Sequence, residues 1–430
     1  MRHRGEDGRN SVQPDIRSSL RVLRVRRFGA WWGAQFLSGI GSWAQAVAIP
    51  WYVLERTGSA AAVGLVTTLQ FLPVLVLSLV GGAIADRVSR RGLLLLTQVA
   101  LAVLAALLGV LVAARLAPVW VVAAIALAIG TTNALNNPAQ QAFLPELVSI
   151  DQVPAAVALN SVQFNAARMV GGAVGGVLIA AFGVPAALWV NAASFLPVVA
   201  VLVAIGRRAV APVSPQRPSE PILAQLLEGL RFAAREAPVR SVILVFGFVG
   251  LFGFNWQVAV PLVARFVLRQ HAEGLGLLMS SLGAGALGAS LLATARARAS
   301  QRRLVVAGAS LGAALVGLGV ARSVALAAGL LVVGGFFGVL ASVSANTRLQ
   351  VLSPPALRGR VMAIYVLLMG GTTPIGAFAL GELASALGAA RAVEIFGALT
   401  LLGVLGAGAL GRNQRPTEPT LGLAGEDTTG

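Results

Sequence analysis

Apolar windows of about twenty residues, the length that carries an α-helix across the hydrocarbon core of a bilayer, recur through this 430-residue chain from Phe28 to Leu410. The short polar joints between them are alternately rich and poor in arginine, a pattern that describes a polytopic membrane protein and gives its orientation. A soluble fold has no way to hide this much apolar surface. Hydrophobic residues make up 57% of the chain and charged residues only 11%, against about 25% charged in ordinary globular domains.

The windows fall at 28–54, 60–84, 92–114, 118–138, 157–183 and 186–206, then at 239–262, 275–295, 303–321, 324–346, 361–382 and 392–410. They predict an all-α membrane protein with twelve transmembrane helices in two bundles of six, 28–206 and 239–411. Residues 1–27 and 412–430 read as cytoplasmic tails. The linker, 207–238, holds Pro212, Pro215, Pro218 and Pro221 and then an amphipathic stretch, Ile222, Leu226, Leu227, Leu230 and Phe232, that suits a membrane surface or a solvated helix alike. With the N-terminus inside, 26 of the 33 arginines fall on the cytoplasmic side and 6 on the other, so both termini are expected in the cytoplasm of a cell-membrane protein. Arg168 belongs to neither side.

The net charge of +17 would suggest nucleic acid in a soluble chain. Here the arginines flank apolar spans, so anionic lipid headgroups are the expected partner, and no nucleic acid is. The chain has no lysine, which removes a P-loop ATP site of the usual kind and Schiff-base chemistry. It has no cysteine, and its two histidines, His3 and His271, lie in a tail and a distant loop. Neither a metal site, a cofactor nor catalytic residues are expected.

The two sets of six repeat a pattern. The joints after the second and eighth windows are both short and arginine-rich, and the Pro-containing joints Phe143–Val148 and Leu349–Pro355 both precede Gly-rich windows. Duplicated bundles of this kind place a substrate path between the halves near the bilayer midplane.

After the second window comes Gly81-Gly82-Ala83-Ile84-Ala85-Asp86-Arg87-Val88-Ser89-Arg90-Arg91. This resembles the signature loop of the major facilitator superfamily, with Ile84 for its leucine and Ser89 for its second glycine. The resemblance implies that Gly82, Asp86, Arg87, Arg90 and Arg91 form a conformational switch; the residues alone also fit an ordinary arginine-rich turn.

In the fifth window Ser161, Asn165, Arg168, Gly172 and Gly175 fall at helical offsets that share a face, and Gly171, Gly172, Gly175 and Gly176 make two overlapping GxxxG spacings for tight helix packing. This is similar to the Gly-rich fifth helix of major facilitator antiporters, with Gly171-Gly172 where a Gly-Pro pair usually stands. Arg168 lies about eleven residues, roughly 16 Å, into the window. Near the midplane it is a candidate to hold an anionic substrate group, to respond to a proton-bearing partner, or to pair structurally with helix carbonyls.

Polar residues mark other windows: Gln35, Ser38, Ser42 and Gln45 in the first, Asn133 and Asn136 in the fourth, Asn255 and Gln257 in the seventh, and Ser342 and Asn346 near Phe336 and Phe337 in the tenth. Superfamily resemblance places these four helices around a central cavity, whereas interhelical hydrogen bonding explains the same residues without one. Short matches along the chain, among them Gln70-Phe-Leu-Pro73, Asn137-Pro-Ala139 and Leu357-Arg-Gly-Arg-Val361, resemble the branch that holds the enterobactin exporter and drug-efflux proteins. That branch implies a monomeric secondary transporter, not an enzyme, exporting a small lipophilic or amphipathic molecule (a drug, siderophore or secondary metabolite) in exchange for protons. Import, lipid flipping, or a non-transporting scaffold or sensor are the alternatives. No carboxylate sits in mid-window to carry the proton.

Overall fold

The computed structural model describes residues 21–205, 222–293 and 300–410; the side chains at 78–87, 222–226 and 293 lie outside that description. The described chain is helical throughout. In the first half, α1 (Arg26–Thr57), α2 (Ala60–Arg87), α3 (Arg90–Ala113), α4 (Val119–Phe143) and α5 (Val153–Phe182) each form one span, and α6 (Val184–Ser194) with α7 (Leu196–Ile205) forms the sixth. Helix α8 (Ile222–Arg235) lies between the two sets of spans, in the stretch read from the sequence as a linker.

The second half is less regular. Its seventh span is built from α9 (Ala237–Phe248), a π-helical turn at Val249–Gly253, α10 (Trp256–Leu262) and a second π turn at Val263–Val267. Single helices α11 (Ala272–Ala293), α12 (Gln301–Val320) and α13 (Val324–Leu352) follow. The eleventh span joins α14 (Pro355–Val366) through a π turn at Leu367–Gly371 to α15 (Thr373–Leu387), and α16 (Ala389–Leu410) closes the bundle.

Eleven of these segments are long and apolar enough to cross a membrane. The first, α1, is the exception on hydropathy alone. Its 32 residues reach about 48 Å, more than a bilayer core needs, but Gln35, Ser38, Ser42 and Gln45 on one helix lower its apolar content. The count of twelve therefore rests on how α1 packs, alongside α5, α6 and α7 within its bundle.

Local chemistry sets the boundaries. Ser89 and Ser323 accept hydrogen bonds from the N–H groups of Gly92 and Leu326, capping α3 and α13. Gly183 and Gly388 end α5 and α15 at φ of 80° and 88°, conformations that side chains with a Cβ resist. These two glycines occupy equivalent joints of the two halves, so the duplication visible in the sequence extends to the turns.

The halves meet mainly through α5 against α11 and α2 against α15. A core of buried side chains, including Trp51, Val53, Ala259 and Leu275, continues from one half into the other. Toward the opposite end the first half has a separate core around Phe28, Trp31, Phe143 and Leu202, which contains no residue of the second half. Among the described residues, then, the shared core lies toward the end far from the termini, while α5 and α11 keep contact as far as Asn165 and Ser290.

Candidate functional site

The face of α5 shows where the seal stops. Val157, Ser161, Phe164 and Arg168 recur at spacings of three and four, so they point the same way. Val157, Ser161 and Phe164 are exposed and Arg168 is half-buried. One turn further along the same direction Gly171, Gly172 and Gly175 are buried. The opposite face, with Ala173, Val177 and Ala180, is exposed along the outer half of the helix, as a lipid-facing surface is. An open cleft therefore runs along α5 between the bundles and ends at Arg168. The helix begins at Val153, so Arg168 stands fifteen residues in, at the middle of 30, deeper than its window suggested.

The expectation that Ser161, Asn165, Arg168, Gly172 and Gly175 share one face resolves into two adjacent ones. A methyl added at Gly171 would stand 2.6 Å from Trp43 Cβ, and one at Gly175 would stand 2.8 Å from Ala44 Cα, so these two glycines admit α1. Gly172 and Gly176 admit α11, where a methyl would meet the backbone of Ser280 at 3.0 Å and Gly276 Cα at 2.7 Å. The two overlapping spacings thus serve two different neighbours. Asn165, on the α11 side, donates to Ser290 Oγ at 2.9 Å, a buried hydrogen bond between the halves.

Contact between α2 and α15 mirrors this. Ser385 Oγ accepts from the Ala61 N–H at 3.0 Å, and Thr68 Oγ1 donates to the Pro374 carbonyl at 3.0 Å. Between these bonds Gly64 lies against Gly381 and the Ala377 carbonyl. A cleft of about 750 Å³ lined by Ser59, Phe266, Ser385 and Arg391 opens at the far end of this seal. It lies among the joints at the helix ends and away from Arg168.

At the end of the α5 cleft the Arg168 guanidinium lies over the Trp43 ring, 5.5 Å from its centroid. Trp43 meets Phe164 edge-on at 5.6 Å. Among the described residues Arg168 has no ion-pair or hydrogen-bond partner, and its Nε is buried without one. The described carboxylates, Glu55, Glu146, Asp151, Glu228, Glu236, Glu273, Glu382 and Glu394, all lie in joints, in the linker or near helix ends. Among the described residues the guanidinium therefore has only the cation–π contact with the Trp43 ring.

Most other candidate cavity residues are engaged in helix contacts. Asn191 of α6, which the sequence reading passed over, donates to Gln45 Oε1 at 2.9 Å, and its Oδ1 accepts from Ser42 Oγ at 3.4 Å. Asn136 Oδ1 accepts from Thr97 and Gln98 of α3 at 3.0 and 3.3 Å. Ser342 shares a 2.7 Å hydrogen bond with the Tyr365 hydroxyl, whose ring stacks on Phe246 at 4.9 Å. Asn346 Oδ1 accepts from Gln350 Nε2 at 2.6 Å. Asn255 Nδ2 donates to the Leu251 carbonyl at 2.7 Å, across the break in the seventh span. Phe336 and Phe337 meet edge-on at 5.3 Å. Ser38 and Gln35 are buried, the latter with its Nε2 unpartnered, while Asn133 and Gln257 are half-buried. Asn191 and Tyr365 had a readable signal, since a lone amide in an apolar window and one of only two tyrosines in the chain both invite a bonding partner.

Of the signature loop, Gly82, Asp86 and Arg87 fall where side chains lie outside the described residues. Arg90 donates to Glu146 Oε1 at 2.5 Å, and Arg91 Nε donates to the Leu202 carbonyl at 2.6 Å. Both arginines thus tie the start of α3 to other parts of the first half. In the second half Arg360 of α14 pairs with Glu228 of the linker helix α8, and Gly229 packs on the Arg360 backbone.

Two pseudo-symmetric bundles of membrane-spanning helices, sealed at one end with a cleft between them, define a transporter of the major facilitator fold, an integral protein of the cell membrane. Solved structures agree on the fold. A bacterial homolog of the human lysosomal transporter Spinster, in an inward-facing and unoccupied conformation, superposes with a TM-score of 0.67 at 14% identity, over 90% of this chain and 96% of that one. An auto-inhibited POT family peptide transporter gives 0.70 at 14% identity, over 92% and 98%.

Residues 17–413 match the family of transmembrane secretion effectors, and the chain belongs to that family. Curated relatives include the multidrug efflux pump Tap of Mycolicibacterium fortuitum, 29% identical over 370 residues (83% of this chain, 88% of the pump). The staphyloferrin A transporter of Staphylococcus aureus is 24% identical over 86% of this chain and 92% of its own length. The enterobactin exporter EntS of Salmonella typhimurium is 27% identical over 90% and 93%. These relatives are transporters of small molecules rather than enzymes.

Proposed function

We propose that the chain exports a small lipophilic or amphipathic molecule from the cytoplasm by alternating access, in exchange for protons, as a monomer with both termini inside. The observation that carries this reading is the cleft along α5, which ends at Arg168 and is closed beyond it by Gly172 and Gly176 against α11. With the arginine-rich joints at the cytoplasmic face, this arrangement reads as an inward-facing state. The efflux activity of the relatives supports the direction. Proton coupling falls to a carboxylate that a conformational change brings into the aqueous path, with Asp86, Glu55, Glu382 and Glu394 as the candidates, because no described acid stands at the midplane.

Flux of a lipophilic dye in proteoliposomes tests the reading. Dye movement should rise with an imposed pH gradient and reverse when the gradient is reversed. Flux indifferent both to the gradient and to Arg168→Ala would remove the antiport mechanism. The chain has no cysteine, so Ser59→Cys and Ser89→Cys report sidedness without any background thiol; a membrane-impermeant maleimide should label the first from outside intact cells and the second only after permeabilisation.

A further inference from the structure

An unpaired guanidinium in the middle of a membrane-spanning helix is costly unless something neutralises it during the working cycle, and ionisable groups at that depth ordinarily pair with one another or with carbonyls. Arg168 does neither among the described residues. Across from it α1 offers an indole ring, and the adjoining α5 residues Met169 and Gly172 pack on Gly283 and Ser280 of α11. No acid of those helices lies near it: Glu55 stands at the last turn of α1, where it accepts from Trp51 Nε1 at 2.7 Å, and Glu273 stands at the first turn of α11. The Trp43 ring takes up none of the guanidinium N–H donors, and a guanidinium with free donors grips a carboxylate with two parallel hydrogen bonds. The aromatic ring of Phe164, exposed one turn below, lines the approach.

We infer that the counter-charge arrives with the cargo: the transported molecule is an amphipathic anion, its carboxylate or similar planar acid on Arg168 and its apolar body against Phe164 and Trp43. This deepens the export reading and rests on it. Such a site takes its ligand from the cleft side of α5, where Phe164 is exposed. It also excludes lipophilic cations from the same position by direct repulsion.

A matched trio of probes separates charge from greasiness: 2-naphthoate, its methyl ester, and 2-naphthylmethylamine. With the full-length protein in detergent, naphthoate should raise the unfolding midpoint at concentrations about tenfold below those at which the ester or the amine acts. Arg168→Gln should erase that preference, and Arg168→Lys, which keeps the charge without the planar fork, should retain part of it. Equal protection by all three probes, by chloride as well as naphthoate, or a preference that survives in Arg168→Gln would overturn the inference. The wild-type comparison needs no variant, so misfolding of Arg168→Gln leaves it decisive. Flux distinguishes the two levels of the reading. A protein that moves a lipophilic cationic dye but shows no naphthoate preference exports without an anion subsite; one that binds naphthoate selectively through Arg168 but moves nothing keeps the subsite and loses the export function.

Discussion

The first and fifth spans are continuous helices of 32 and 30 residues, whereas their counterparts in the second half, the seventh and eleventh, are broken by π turns. The breaks face each other. Gly250 in one π turn lies against the Leu368 carbonyl and the Thr372 hydroxyl of the other. The two facing breaks also loosen carbonyls that a regular helix would satisfy, and a polar side chain takes them up: Asn255 Nδ2 bonds the Leu251 carbonyl, and Thr372 Oγ1 bonds the Leu368 carbonyl at 2.8 Å. π turns and similar helix defects are where helices bend and where function concentrates. Duplication thus preserved the joints while these spans diverged, the first-half pair continuous and the second-half pair bent, which makes the second half the candidate for the moving one.

The largest expected effect comes from spoiling the surface on which the continuous half is sealed. At Gly176 a Cβ would stand 2.7 Å from Gly276 Cα and 2.9 Å from the Ala272 carbonyl, both backbone groups that have no way to turn aside. Gly176→Leu should wedge α5 from α11, cost flux at least about tenfold, and destabilise the protein by about 1–3 kcal/mol or more. Spin labels at Ser59→Cys and Ala390→Cys, in the cysteine-free background, should move apart. Unchanged flux and an unchanged label distance would mean that the seal lies elsewhere.

Next in size is the bend itself. Asn255 is buried and packed on Gly376, and its amide is the partner of the Leu251 carbonyl. Asn255→Leu leaves that carbonyl unsatisfied at a cost of about 1–3 kcal/mol, and it should depress flux beyond what lost stability explains. Asn165→Leu in continuous α5 removes hydrogen bonds to Ser290 Oγ and to the Ser161 carbonyl, each worth about 1 kcal/mol, without touching a bend. A flux loss equal in the two variants at equal thermal stability would end the distinction between continuous and bent halves.

Spans, joints and the duplicated plan were legible in the sequence because hydropathy and arginine placement act locally, residue by residue, along each window. Arg168 stood out for the same reason, as the one arginine outside the sided pattern. The roles of the polar residues were not legible. Ser42, Gln45 and Asn136 look alike whether they face a cavity or a neighbouring helix, and the deciding partners, Asn191, Thr97 and Gln98, are 38 to 149 residues away in sequence. The π turns left no periodic trace either, because one extra residue in a turn shifts an apolar pattern by less than the scatter of all-apolar windows such as 239–262.

The ion pairs of the two halves sharpen the comparison on a smaller scale. Arg90–Glu146 stays inside the first bundle with side chains 19% and 13% exposed, while Arg360–Glu228 reaches from the second bundle to the linker with 23% and 46% exposed. Glu146→Gln leaves a shielded guanidinium without its counter-charge and should cost about 1–3 kcal/mol. Glu228→Gln breaks a solvent-screened pair and should cost about 0.2–1 kcal/mol. Thermal unfolding in low and high salt checks the pair, since only the Glu228 contribution should fade as ionic strength rises.

Gly370 makes the finest test, because it sits inside the π turn of the eleventh span with nothing within 4 Å of the position a Cβ would take. Alanine there meets no steric opposition, and it restricts the unfolded chain more than the folded one, so Gly370→Ala should stabilise the protein by about 0.4–1 kcal/mol. If the bend is a working part, that gain carries a functional cost: a residue with higher helix propensity stiffens the segment that has to flex, and flux should slow modestly as the unfolding midpoint rises. The two quantities moving in opposite directions would mark the second half as the mobile one. A variant that is both more stable and as fast as the parent would make the π turn a packing accommodation around Gly250 and nothing more.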